Sequence, residues 1–300
     1  MKVISYLGGI PAKNKNENKP RMLLSFAQGV NAAGDEGIVH HGMNYVPADV
    51  GVIQGFVHDH GKTAPHLQFR KKCIDTNPHN VIIDSNMFSY HTGSNCGMCR
   101  YSYDGVFPTT GNYCDDGVGP EHWQRLQKNY GITLKPWRKT GNYILICTQR
   151  NGGWSMKGED VLSWTKKIVM RIRHNTNRPI VVRAHPGDGK SYRYTNDIAK
   201  LSGVTLSTNE SFIDDLRHAW CTVVKNSSPS VGSVMQGVPV FVDDPIDCQA
   251  GPVANTVWEN IENPTYHDRE EWLWKICASH WDIPELLDGT CWSHMRQFVQ

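Results

Sequence analysis

The stretch Tyr143-Ile144-Leu145-Ile146-Cys147, followed by Thr148-Gln149-Arg150-Asn151-Gly152-Gly153-Trp154-Ser155, decides the fold. The apolar run predicts a strand, and the polar, glycine-containing run predicts the loop that leaves it. A helix is predicted next over 160–174, where Val161, Leu162, Trp164, Ile168, Val169 and Ile172 recur at helical spacing. A second strand, 180–182, then runs into Arg183-Ala184-His185-Pro186. The rhythm continues with a strand at 222–224, a helix at 230–236 and a strand at 238–242. Strands alternating with helices specify a parallel α/β sheet.

Working outward, the first half follows the same plan. A strand is predicted at 3–7, then Gly8-Gly9 and a polar loop holding Lys13, Lys15, Lys19 and Arg21, with only Glu17 opposed. Helices are predicted at 22–33, ending before Gly34, and from Pro65 to Cys73. Strands are expected at 50–57 and 81–83, the latter ending in Asp84. Residues 85–140 are rich in Gly, Asn, Tyr and Cys, with one clear helix at 121–129. Two α/β runs separated by an irregular stretch predict two Rossmann-like domains facing across a cleft. The expected division is 1–138 and 139–300, with the last helix able to pack back on the first domain.

The 300 residues carry a formal charge of +2, with 39% hydrophobic and 20% charged residues and a mean hydropathy of −0.48. That balance excludes a disordered chain, and no run of about 20 apolar residues exists to span a membrane. The first residues read as a strand rather than a signal peptide. Nine cysteines, an odd number without a secretion signal, are expected to be reduced in a cytoplasmic protein. The charge is uneven: residues 1–150 hold 16 basic and 11 acidic side chains, and residues 151–300 hold 15 and 18. The first half is therefore expected to meet something anionic.

Several motifs fail. Gly61-Lys62-Thr63 ends like a phosphate-binding P-loop, but position 56 is Phe56 where the first glycine belongs. No Gly-x-Gly-x-x-Gly follows the first strand, and no Gly-x-Ser-x-Gly or His-Glu-x-x-His occurs. Cys96-Gly97-Met98-Cys99, with His91 and Cys114 nearby, has one zinc-knuckle pair but lacks a second, so no metal is expected.

Three segments follow strands in the second half, where an open α/β sheet binds its ligands. Arg183 and His185 suit phosphate oxygens, or else Arg183 pairs with a carboxylate and His185 caps a turn. In Asn226-Ser227-Ser228-Pro229-Ser230, Ser227 or Ser228 caps a helix whose start favours a phosphate, or simply caps it. In the loop from Gln149, Arg150 is placed to meet phosphate and Trp154 to pack on a base or sugar, or the tryptophan is core.

At these residues the chain resembles GT-B glycosyltransferases, through Arg183-x-His185-Pro186, Ser227-Ser228 and Gly237-Val238-Pro239. It is more closely similar to glycosyltransferases of tailed bacteriophages, including those that decorate modified cytosine in viral DNA. That likeness rests on Trp137-Arg138-x-x-Gly141, the 149–155 run, Arg178-Pro179-Ile180 and the tail with Trp281, Glu285, Gly289 and Trp292. The resemblance implies transfer of a sugar, glucose or arabinose, from a UDP-sugar co-substrate to a hydroxyl, with no cofactor. It implies Arg150, Arg183, His185, Ser227 and Ser228 as donor-phosphate ligands, to which the loop after the strand adds Gln149 and Trp154; Arg183, Arg150 and the helix start at Ser228 are expected to neutralise the leaving diphosphate. No Asp-x-Asp motif occurs, which fits a metal-independent reaction.

For the acceptor base the candidates are Asp59, in His58-Asp59-His60, and Asp84; His58 and His60 are alternative bases or acceptor ligands. The expected acceptor is hydroxymethylcytosine in DNA, met by Lys13, Lys15, Lys19, Arg21 and His58. Phe88, Tyr90, Tyr101, Tyr103 and Phe107 are then available to stack on an extruded base. The competing readings are a solubilising loop with core aromatics, a glycan or small-molecule acceptor, and a non-catalytic nucleotide- or DNA-binding protein.

Overall fold

The computed structural model describes residues 1–11, 18–57, 64–93 and 96–299, and within it the chain divides into two units. The first begins with apolar strands hidden on both faces: Val3, Ile4, Val50, Val52, Val81, Ile82 and Ile83 are fully buried. Strands β1 (Lys2–Tyr6), β2 (Glu36–His40), β3 (Val50–Gln54) and β4 (His79–Asp84) run parallel, and β5 (Cys99–Tyr103) pairs antiparallel with β4. The helix Asn18–Ala32 covers β1 with Met22, Leu23, Phe26, Ala27 and Val30, the i, i+4, i+8 face that its sequence supplies.

The second unit, Gly131–Trp272, holds β6 (Tyr143–Cys147), β7 (Ile180–Arg183), β8 (Val204–Leu206), β9 (Ala219–Val224) and β10 (Val240–Val242). All five are parallel, in the order β10-β9-β6-β7-β8. The helix Val161–Asn175 starts where Asp160 accepts the Ser163 N–H at 3.0 Å. It buries Val161, Trp164, Ile168, Val169 and Ile172 against the sheet. From β6 the chain steps outward to β7 and β8, then crosses back to build β9 and β10 on the other side. The strand order therefore reverses between β6 and β9.

The chain then returns to the first unit. Contacts group Leu273–Gln300 with Met1–Tyr130; the sequence division at 138 allowed the last helix to pack back in this way, and the returning segment begins earlier, at Leu273. The reason is apolar burial and strand pairing. β11 (His280–Trp281) pairs antiparallel with β5, completing the order β11-β5-β4-β3-β1-β2. Trp281, Leu286, Cys291, Trp292 and Met295 join Val3, Leu23, Phe26, Tyr101 and Tyr103 in one core. Trp292 Nε1 donates to Asp35 at 2.8 Å, which satisfies its polar edge as the rings pack. No helix among the described residues is long and apolar enough to cross a membrane.

Two histidines in this returning segment's surroundings are buried and neutral. His280 is fully buried; its Nδ1 donates to Ile276 O at 2.8 Å and its Nε2 accepts the Met87 N–H at 3.0 Å. A second proton would face an N–H, and burial pushes its pKa down to about 3. His122, edge-on to Trp281, is pushed to about 3 by burial and then by Arg125. Burial lowers His294 as well. Each binds fewer protons folded than unfolded below its ordinary value of 6.5, so stability rises with pH up to that value. Glu285, pushed up to about 8 by burial, and Asp115, raised by burial, work in the opposite sense, but His66 and His185 are also lowered, so five groups stand against two. Urea midpoints are thus expected to climb between about pH 5 and 6.5, and His280→Asn to flatten the climb. A midpoint that is level or falls across that window contradicts the assignment.

Candidate functional site

The C-terminal ends of β6 and β9 flank the reversal of strand order, where the loops leaving an open α/β sheet part and leave room for a ligand. Gln149 follows β6 and Asn226 follows β9, and the two meet: Gln149 Nε2 donates to Asn226 Oδ1 at 2.9 Å and to Ser155 Oγ at 2.7 Å. Asn226 Nδ2 in turn donates to Asp244 Oδ2 at 3.0 Å. Lys157 pairs with that carboxylate and with Asp247, at 2.7 Å from each. Around this bridge two buried polar atoms have no hydrogen-bond partner, Gln149 Oε1 and Ser227 Oγ. An unsatisfied buried acceptor or hydroxyl costs about 1–3 kcal/mol, and sites that keep one are commonly completed by a ligand.

Arg150 and His185 stand beside this bridge. A Cβ on Gly187 would lie 2.8 Å from Arg150 Nη2 and 3.0 Å from His185 Cε1, so the glycine leaves the two side chains room to adjoin. The Gly187 N–H donates to His185 Nδ1 at 3.0 Å, which places the ring proton on Nε2 and keeps that N–H as a donor. Burial and then the Arg150 charge hold His185 below its ordinary pKa. Arg150 itself is exposed, and no hydrogen bond or ion pair within the described residues engages its guanidinium. The backbone carrying it is anchored: Asn151 N–H donates to Asp188 at 3.1 Å and Asn151 Nδ2 to Asp160 at 3.0 Å. Burial would raise Asp188, but the Asn151 and Lys190 N–H groups and the Tyr194 hydroxyl keep it ionised below its usual range.

Arg183 is placed differently. Its Nη1 pairs with Asp215 at 2.6 Å and donates to Asn209 O at 2.8 Å, and its Nη2 donates to Glu210 O at 2.7 Å. Asp215 is 1% exposed and also accepts from Ser207 and Asn209. The carboxylate-pairing alternative describes this arginine, whose fork is spent on the turn after β8. Ser228 occupies the N-cap position of the short helix Pro229–Met235, yet its side chain makes no capping bond. Trp154 is 37% exposed on the turn Trp154–Met156, which leaves a face for packing.

The acceptor-side residues fare unevenly. Lys13, Lys15, His58, Asp59 and His60 lie outside the described residues. Lys19 is half-buried and Arg21 exposed, both on the helix Asn18–Ala32. Asp84 is held by Arg100 at 2.6 Å, which occupies it as a base. Phe88, Tyr101 and Tyr103 are at most 3% exposed and fill the first unit's core, so they are not free to stack on a base. Tyr101 stacks on Phe26, and Tyr103 Oη donates to Met295 O at 3.2 Å. Cys96 contacts Thr92 and Asn86, and the Cys99 and Cys114 thiols are pushed up to about 12 by burial. No group of three or more His, Cys, Asp or Glu side chains among the described residues is placed to hold a metal.

No protein-family model matches the sequence, and no curated protein matches it. Among solved structures 24 chains match. One is KpsC of Thermosulfurimonas dismutans described as a beta Kdo 2,7 transferase, with a TM-score of 0.57, 13% identity, and 97% of this chain and 99% of that chain covered. Another is KpsC of the same organism described as a beta Kdo 2,4 transferase, with a TM-score of 0.57, 12% identity, and coverage of 96% and 98%. At such identities the likeness is one of fold. It agrees with two Rossmann-like domains, and neither description is that of a DNA-modifying enzyme.

Sequence reasoning gave Asn226 no role and did not see Asp215. An amide two residues past the all-buried β9 was the available signal for Asn226. For Asp215 there was none, since its partner lies 32 positions away. Removing Arg183 would leave Asp215 buried without its countercharge, a loss of roughly 3–5 kcal/mol in comparable pairs. Arg183→Ala is therefore expected to destabilise the second unit by about 3 kcal/mol in chemical denaturation. An unchanged unfolding curve would show that the pair is not structural.

Proposed function

We propose that the chain is a glycosyltransferase that moves a sugar from a nucleotide-activated donor to a hydroxyl. The observation carrying this reading is the group at the β6/β9 reversal: an unengaged arginine, a histidine with its Nε2–H available, and two orphaned buried polar atoms. The full-length likeness of fold to two Kdo transferases supports it.

In this mechanism the donor phosphate meets the Arg150 guanidinium and the His185 Nε2–H. Ser227 Oγ donates to a phosphate oxygen, and Gln149 Oε1 accepts from a donor hydroxyl or base N–H. As the glycosidic bond breaks, the leaving group gains negative charge, and Arg150 offers planar paired donors to it. Of the two arginines expected at the leaving diphosphate, Arg150 keeps the role, because the donors of Arg183 are committed. Trp154 packs beside the sugar or base.

The finer proposal is a UDP-linked glucose or arabinose with hydroxymethylcytosine DNA as acceptor and Asp59 as base. Its support is the residue resemblance and the basic surplus of the first half. The buried aromatics lend none.

The first measurement is nucleotide release from UDP-glucose, UDP-arabinose and CMP-Kdo, each with hydroxymethylcytosine DNA, unmodified DNA and a glycan. Release coupled to sugar appearing on one acceptor is expected; binding of nucleotide without turnover of any donor favours a non-catalytic protein instead. Arg150→Gln is expected to cut turnover by about two orders of magnitude, the usual loss when one donor to a developing anion is removed. Its melting temperature should match the parent's, since no hydrogen bond or ion pair among the described residues engages the guanidinium. Full activity in that variant refutes the site.

A further inference from the structure

Arg70 lies on the helix Pro65–Thr76 of the first unit and is 8% exposed. Its Nε donates to Gly9 O at 2.5 Å. Gly9 makes room for the stem: a Cβ there would stand 2.9 Å from Arg70 Cγ. At the other end, a Cβ on Gly55 would lie 3.2 Å from Arg70 Nη1, and Gly55 has a φ of +79°. Gly9 follows β1 and Gly55 follows β3. The first sheet reverses its strand order between those two strands, so the guanidinium sits at that sheet's own ligand position.

What distinguishes this arginine is that the described residues give it no counter-charge. No carboxylate among the described residues pairs with it, and neither Nη1 nor Nη2 has a hydrogen bond there. Arg100, comparably buried in the same unit, has Asp84 at 2.6 Å. An unpaired charge taken from water is costly, and burial alone pushes Arg70 down to about 10. His66, one turn earlier, is pushed down by burial and then by Arg70. A neutral imidazole beside a bare guanidinium adds a donor without adding charge.

We propose that Arg70, with His66 beside it, forms an oxyanion-binding site of the first unit, taking a carboxylate or phosphoryl group of a ligand. The planar fork of Nη1 and Nη2 matches two oxygens of such a group, and the ligand supplies the charge that the protein withholds. This site is independent of the donor site and stands whether or not the chain transfers sugars.

The test is calorimetric titration of the full chain with inorganic phosphate, glucuronate and, as uncharged control, glucose. It is run in the Arg150→Gln background, so that the second unit's arginine does not contribute. At least one anion is expected to bind and glucose not to; which anion binds separates a phosphoryl from a carboxylate ligand. Arg70→Met, which keeps an apolar stem, is expected to weaken that anion at least about tenfold. It should also melt at an equal or higher temperature, because an uncompensated buried charge has gone. A merely structural arginine would lower the melting temperature and leave anion binding alone. Absence of binding by either anion, or equal affinity in Arg70→Met, overturns the site. Should that variant fail to fold, Arg70→Lys decides: affinity down about fivefold or more supports the fork, and unchanged affinity overturns it.

Discussion

β6 is hydrogen-bonded on both sides, to β7 and to β9, and both neighbours run parallel to it. A strand in that position cannot turn back on itself; its loop must climb off the end of the sheet. The loop after β9 must do the same, and the connections of the two strands run to opposite sides of the reversal. Gln149 and Asn226 are the first side chains beyond β6 and β9 able to bridge the gap, and they do so with a buried amide–amide bond. That bond fixes Gln149, the Gln149 backbone fixes Arg150, and the Asp188 and Asp160 carboxylates hold the next residue. The position of the free arginine thus follows from strand order.

The same constraint accounts for the cost carried there. The strands beneath are fully apolar: Ile144, Leu145, Ile146, Val223 and Val224 are all inaccessible to solvent. Gln149 Oε1 and Ser227 Oγ border that core without partners. A protein tolerates such atoms when the surrounding apolar burial is large and the atoms have a use. The carboxylates next to them are engaged by lysines, Asp244 and Asp247 by Lys157 and Glu159 by Lys225, rather than by Arg150.

Legibility in the sequence followed the strength of local pattern. Tyr143–Cys147 was read to the residue, and the helix at 160–174 to within one, because apolar runs and the Asp160 cap are local signals. β5 was missed, since Cys-Arg-Tyr-Ser-Tyr has no apolar run and its burial comes from a strand, β11, that lies nearly 180 positions later in the chain. The return of the last helix to the first unit was legible, but the same distance hid how early the returning segment begins, at Leu273. At the site, the loops after β6, β7 and β9 were legible as loops after strands. Which of their side chains remain available was not, because that depends on partners such as Asp215 and Asn226 that only folding brings near.

The arginines of the second unit show why residue type alone misassigns a role. Arg138 donates to the carbonyls of Leu216, Arg217 and Ala219. Arg173 holds Arg178 O and Gly203 O, and Arg269 holds Val234 O and Lys135 O while lying over the Trp137 ring. Arg178 pairs with Glu262 and lies over Trp220. Each uses a multi-pronged donor to tie backbone carbonyls or a carboxylate from separate segments together, which is a structural task suited to five N–H groups. Arg183 belongs to that set, although it ends a strand beside a histidine and a proline, the position from which a ligand contact is usually inferred. Arg150 has the same chemistry on the neighbouring strand end and none of those partners. The difference lies in what each loop offers: the turn after β8 presents two carbonyls and a buried carboxylate, and those absorb the nearest guanidinium. An arginine is left for a ligand where the fold has run out of acceptors for it, and the end of β6 meets that condition.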